Sequence, residues 1–152
     1  MLRRNDSLPL FTCYFALVVG IAFTAAGIAG FLPFFTPHAP PDAPDLIVKA
    51  SHGLLLGLFP VNLLHNVFHF GWGVTGLLAS RTYSSALKFA RYFGVTLAVL
   101  TLMGLLPPFR TGFGLMPLYG HDIWLHGLEA VISIYLGFFA AQREQVRVEK
   151  AT

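Results

Sequence analysis

The chain has 152 residues, 55% of them hydrophobic and only 11% charged, with a mean hydropathy of +0.67. Soluble domains carry roughly a quarter charged residues, so the composition argues against a water-soluble domain and, with apolar residues in long blocks, for an integral membrane protein. The net charge of +3 comes from basic residues placed between and beyond those blocks, which speaks of membrane topology rather than nucleic acid.

A membrane-spanning helix needs about 20 apolar residues, and four segments supply them: 8–32, 52–79, 86–106 and 122–141. The expected fold is therefore all-α, an integral membrane four-helix bundle of antiparallel up-down topology in a single domain, 1–152. The first segment follows Arg3 and Arg4 and ends in small residues, as a signal peptide does, but it is much longer than the about 7–15 residues of a signal core, so it is expected to stay as a helix. Cys13 within it is the single cysteine and cannot form an internal disulfide. Cys13, Ala16, Gly20, Thr24 and Gly27 make a small-residue stripe there, and Gly94, Ala98 and Thr101 another on the third helix, both suited to close helix packing. The connection 33–51 is rich in proline and 107–121 in glycine and proline, so both are expected to be irregular. Between the second and third helices lies the short "SRTYSSALK", where Ser84 or Ser85 is expected to cap the third helix. Trp72, Tyr92, Tyr119 and Trp124 are candidate interfacial anchors.

Arg3, Arg4, Arg81, Lys88, Arg91, Arg143, Arg147 and Lys150 fall on one side of this topology; the other holds only Lys49 and Arg110. The positive-inside rule then places both termini in the cytoplasm and the chain in the inner (plasma) membrane.

Polar residues interrupt two of the apolar blocks. Asn62, His65, Asn66 and His69 are spaced three and four apart and share one face of the second helix; Asp122, His126, Glu129 and Ser133 do the same on the fourth. Unpaired polar groups are costly in hydrocarbon, so both faces are expected to look into the bundle and meet. A carboxyl such as Glu129 needs a partner, a proton or water there. At 1.5 Å per residue, His65 lies roughly 16 Å down from the outer end of the second helix, but His126 only roughly 5 Å from that of the fourth. Glu129 is then expected beside Asn62 and His65, and His69 too deep for His126, with Tyr92 or a third-helix hydroxyl as its partner. Pro60, inside the second helix, is expected to kink it.

The stretch from Gly57 to Ser80, followed by Arg81 and "LMPLYGHDIWLH" from Leu115 to His126, resembles the bacterial membrane family catalogued as domain of unknown function 4383. The resemblance covers nearly the whole chain. Its Asn-x-x-His-Asn-x-x-His core falls on Asn62, His65, Asn66 and His69 and its Asp-x-x-x-His element on Asp122 and His126; it does not assign Glu129 or His121. It implies a small four-helix membrane protein and brings no established activity.

Three functions fit these residues. The leading expectation is a structural or accessory subunit, partnered by the lipid bilayer and by itself or a larger membrane complex, in which the polar stripes act as interhelical hydrogen-bond glue. The alternative is a metal- or tetrapyrrole-binding protein. His65 and His69, four apart on one face, would be the metal ligands, and a haem or chlorophyll-type pigment would use an axial histidine. Bis-histidine haem is disfavoured by the roughly 11 Å difference in depth between His65 and His126. The third is proton or ion conduction along Asp122, His126, Glu129, His65 and His69. An enzyme is not expected: no phosphate loop, nucleophile elbow or zinc-protease signature is present.

Overall fold

The apolar blocks fold as helices because, without water, only the helix satisfies every backbone polar group within one segment. The computed structural model describes residues 7–140 and 142. Arg3, Arg4, Ala141, Arg143, Arg147, Lys150 and the charged C-terminal stretch lie outside the described residues. Within the described residues the α-helices are α1 (Ser7–Ala29), α2 (Leu63–Ala79), α3 (Tyr83–Leu105) and α4 (His121–Ile134), the last continuing as a π-helical turn, Tyr135–Ala140. The fold is all-α, a bundle of antiparallel helices, with one small β-hairpin, β1 (Gly53–Leu55) and β2 (Phe59–Val61). Among the described residues, three helical stretches are long and apolar enough to cross a membrane: Leu8–Ala29, Tyr83–Leu105 and His121–Ala140.

The expected second helix, 52–79, is corrected at its start. Residues 53–61 form the hairpin, which pairs Leu54 with Pro60 and Leu55 with Phe59 and turns through Leu56 and Gly57, both at positive φ. Pro60 therefore kinks no helix; it lies in a two-stranded edge, where its missing N–H is tolerated. The helix begins at Leu63 because Asn62 caps it: the Asn62 side-chain oxygen accepts from the His65 N–H at 3.0 Å. At 17 residues, α2 is about 25 Å long, and the hairpin fills the remaining depth with its backbone paired internally. The other ends differ less. Gly30 and Pro33 stop α1 at Ala29, before the expected Leu32. Thr82, not Ser84 or Ser85, caps α3 by accepting from the Ser85 N–H.

The small-residue stripe of α1 lies on α2. A Cβ on Gly20 would stand 2.6 Å from the Leu77 nitrogen, and one on Gly27 2.6 Å from the Phe70 nitrogen, so the two backbones touch where only glycine fits. On the other pair, Gly94 faces Ser133 and Ile134, and the Arg91 side chain donates from Nε to the Gly137 carbonyl at 2.7 Å within the π-helical turn. The closest pairs are thus α1 with α2 and α3 with α4, while α3 also touches α1 and α2. Between them sit Phe23, Phe93, Phe89 and Trp72, ring against ring; Phe89 and Phe93 are stacked at 5.1 Å. Trp72 is part of this core and not an interfacial anchor; Tyr92 and Trp124 do face outward.

Both long connections close the same end of the bundle. The Gly114 carbonyl accepts from the Ile47 and Val48 N–H groups, and His52 Nε2 meets the Tyr119 hydroxyl at 3.2 Å. Burial, with Lys49 adding to it, lowers the His52 pKa, and burial raises that of Tyr119, so at neutral pH an uncharged hydroxyl faces an uncharged imidazole. Asn62 is the knot of this cap. Besides capping α2, its amide donates to the Val48 carbonyl at 2.9 Å and the Leu115 carbonyl at 2.7 Å. Asn62→Asp keeps the capping oxygen but loses both donors and sets a carboxylate against two carbonyls. A loss of about 3 kcal/mol is expected, from two buried acceptors left unpaired, read as a lower unfolding midpoint in detergent. A midpoint equal to wild type would show that the cap does not depend on this side chain.

Candidate metal centre

Shortening α2 removes the depth mismatch between the two polar stripes. His65 stands in the first turn of α2 and Asp122 in the first turn of α4, with His69 and His126 each one turn further in. The stripes meet through side chains across the bundle, while the backbones of α2 and α4 are not among the packed pairs. The His65 and His69 rings are 4.3 Å apart between centroids, His65 and His126 5.7 Å, and His69 and His126 5.9 Å. One nitrogen from each of these three buried histidines falls within 4.8 Å of the others. Asp122 stands behind them, its Oδ2 3.3 Å from His126 Nδ1 and 3.8 Å from His65 Nε2. The edge of the Phe23 ring closes the inner side, 4.9 Å from His69.

Several expectations about this region are corrected. His69 is not too deep for His126, and Tyr92, turned outward, is not its partner. Asn62 belongs to the loop cap rather than to this cluster. Asn66 points at Gly30, where an added Cβ would run into its amide, and neither of its side-chain polar atoms is hydrogen-bonded. Glu129 does not reach Asn62, whose donors are occupied; it lines a cavity of about 160 Å³ together with His69, Asp122 and His126. Ser133 turns away and donates to the Glu129 carbonyl at 2.6 Å. The pattern of spacing selected His65, His69, Asp122, His126 and Glu129. It could not assign His126 to the same level as the α2 histidines, because that follows from where α2 begins.

The polar atoms here are notable for what they do not bond. Neither His65 ring nitrogen makes a hydrogen bond, although the Pro60 and Pro117 carbonyls approach the ring. His69 Nδ1, Asp122 Oδ2 and Glu129 Oε2 are likewise buried without a hydrogen-bond partner. Each such group costs about 1–3 kcal/mol when left unsatisfied. Three imidazoles converging on one point are the donor set of a first-row transition metal, and a carboxylate behind one of them is the usual outer support.

The helices and this buried cluster define a small membrane protein with a polar centre enclosed near one end of its bundle. The chain belongs to the family described as Domain of unknown function (DUF4383), which matches residues 13–139, so the membership suggested by the Asn-x-x-His-Asn-x-x-His and Asp-x-x-x-His patterns holds. No curated protein and no solved structure matches the chain.

Proposed function

We propose that this is a metal-binding protein of the inner membrane, with both termini cytoplasmic, that holds a divalent first-row transition metal on His65, His69 and His126. The observation that carries the reading is the approach of three buried imidazole nitrogens to within 4.8 Å. A tetrahedral zinc site needs about 3.3 Å between nitrogens, from metal–nitrogen bonds of about 2.0–2.1 Å, so each ring has to move inward by less than about 1 Å. Asp122 Oδ2, 3.3 Å from His126 Nδ1, is the outer carboxylate that would orient that ring on a bound metal. The proposed role is binding; Ser133, the hydroxyl on the same stripe, is spent on a backbone carbonyl.

The other readings find less support. Hydrogen-bond glue calls for histidines bonded across to another helix, and the His65 ring nitrogens have only the Pro60 and Pro117 carbonyls of the loops nearby. A tetrapyrrole has no room, since about 160 Å³ beside the histidines compares with about 300–1,000 Å³ for pockets that hold drug-sized ligands. Conduction lacks a path, because Phe23, Phe93 and Phe89 lie beyond His69 on the way to the other end. The orientation rests on Arg81, Lys88 and Arg91 around the α2–α3 connection, with Lys49 and Arg110 at the opposite end.

Protein purified in detergent, loaded with zinc or cobalt(II) and dialysed, is expected to retain about one metal per chain by elemental analysis. Retention near zero with both metals would overturn the proposal. Asp122→Asn is expected to weaken the metal about 10–100-fold while keeping one site per chain, measured by competition with a chelator. An unchanged affinity would remove Asp122 from the centre.

A further inference from the structure

The cavity beside the histidines lies between two helices that do not pack on each other. α1 packs on α2 and α3, and α4 packs on α3, but α1 and α4 are not among the packed pairs. Between them lies the cavity of about 160 Å³, with Ala22, Phe23 and Ala26 of α1 on one side and Leu125, His126 and Glu129 of α4 on the other. The hairpin covers its outer end through Leu55, Leu56 and Phe59. Ala22 and Leu125 are exposed on the face that α1 and α4 present to the lipid. The walls are therefore apolar, and the buried groups at the bottom are polar: His69, His126, Asp122 Oδ2 and Glu129 Oε2.

We propose that this gap is a lateral entrance from the bilayer to the metal centre, and that the pocket takes an uncharged, single-ring, lipid-soluble molecule of the phenol class. The inference rests on the metal reading above. Size sets the ring count, since an apolar cavity of about 150 Å³ accommodates benzene. The apolar walls and the approach through lipid exclude a charged ligand. The head group follows from the bottom of the pocket. The Glu129 Oε2, buried without a donor, calls for an O–H, and a three-histidine metal keeps a fourth position that an oxygen can fill. Glu129, one turn beyond His126 on the same face of α4, receives that hydrogen bond. Ala26→Trp fills the ring position from the α1 wall, and Ala26 is not itself one of the proposed metal ligands.

The test uses the full chain in lipid nanodiscs, loaded with cobalt(II) and titrated with para-fluorophenol under fluorine NMR. Because paramagnetic broadening falls steeply with distance, it reports a ring held beside the metal. Saturable broadening is expected for the wild type. Ala26→Trp and Ala22→Phe are expected to bind at least about tenfold more weakly while keeping the cobalt ligand-field absorption. Cobalt uptake with no saturable broadening, or with equal broadening in both variants, overturns the lateral pocket and leaves the metal reading standing. If no cobalt is taken up, the metal reading fails, and the unloaded protein decides the ligand. A saturable fluorine shift lost in Ala26→Trp keeps the pocket, and a shift equal in wild type and variants, or none, ends it. Glu129→Gln separates the roles further, with metal retained and phenol weakened about tenfold.

Discussion

His126→Ala is expected to lower bound metal from about one per chain to less than about a tenth under dialysis, with His65→Ala and His69→Ala doing the same. Apparent binding free energies of about 10–16 kcal/mol at structural zinc sites, shared over three or four ligands, give about 3 kcal/mol for each, and 3 kcal/mol is about 100-fold in affinity. His121→Ala, at the exposed first position of α4, is the control and retains metal. Stability separates this reading from hydrogen-bond glue by sign. If the histidines held the helices together, His65→Ala would melt earlier than wild type with no metal present. As a metal ligand, His65 carries ring nitrogens that make no hydrogen bond to a side chain in the metal-free chain, and replacing it by alanine removes a buried polar group that costs about 1–3 kcal/mol when unsatisfied. The metal-free variant then melts close to wild type, cavity cost aside. Added metal, at about 1,000 times its dissociation constant, stabilises wild type by about 4 kcal/mol and leaves the variant unchanged. Thermal melts of both proteins with and without zinc measure all four values.

Hydropathy and helical spacing made most of the bundle legible. The meeting of the polar stripes followed from the cost of imidazole and carboxyl groups in hydrocarbon, and His65 does lie across from Asp122. The failure began at one boundary. Residues 53–61 are as apolar as a helix, and hydropathy does not distinguish a buried hairpin from another three turns. The signals present were Gly57 and Pro60, with Asn62 as a capping residue just before the periodic run. Moving the helix start from His52 to Leu63 removes roughly 16 Å of supposed depth, and with it the objection to pairing His126 with His65 and His69. The hydrogen bonds from Asn62 to the Val48 and Leu115 carbonyls join irregular segments that no periodicity places. The gap between α1 and α4 was equally hidden, since it depends on which helices leave a seam unfilled.

Gly20 and Gly27 carry the other large expected effect. They lie two turns apart on α1, and at both a Cβ would stand 2.6 Å from a backbone nitrogen of α2. A flexible side chain can swing away from such a contact, but a helix backbone cannot. Gly20→Leu therefore has to push α1 off Gly76 and Leu77, and the separation also parts Thr24 from Gly73. In a bilayer no hydrophobic force restores the pair, because close packing is what holds membrane helices together. A loss of about 3 kcal/mol or more is expected, at the upper end of overpacking costs, measured by unfolding in mixed detergent micelles. Gly71→Ala is the contrast, since an added Cβ there meets nothing within 4 Å and alanine favours a helix interior by up to about 1 kcal/mol, so it should be neutral or stabilising. The same displacement carries Phe23 away from His69 and shifts one wall of the cavity. Gly20→Leu should therefore weaken metal binding as well, although Gly20 touches none of the ligands. Wild-type metal affinity in a destabilised Gly20→Leu protein would mean that α2, α3 and α4 hold the three histidines together without α1.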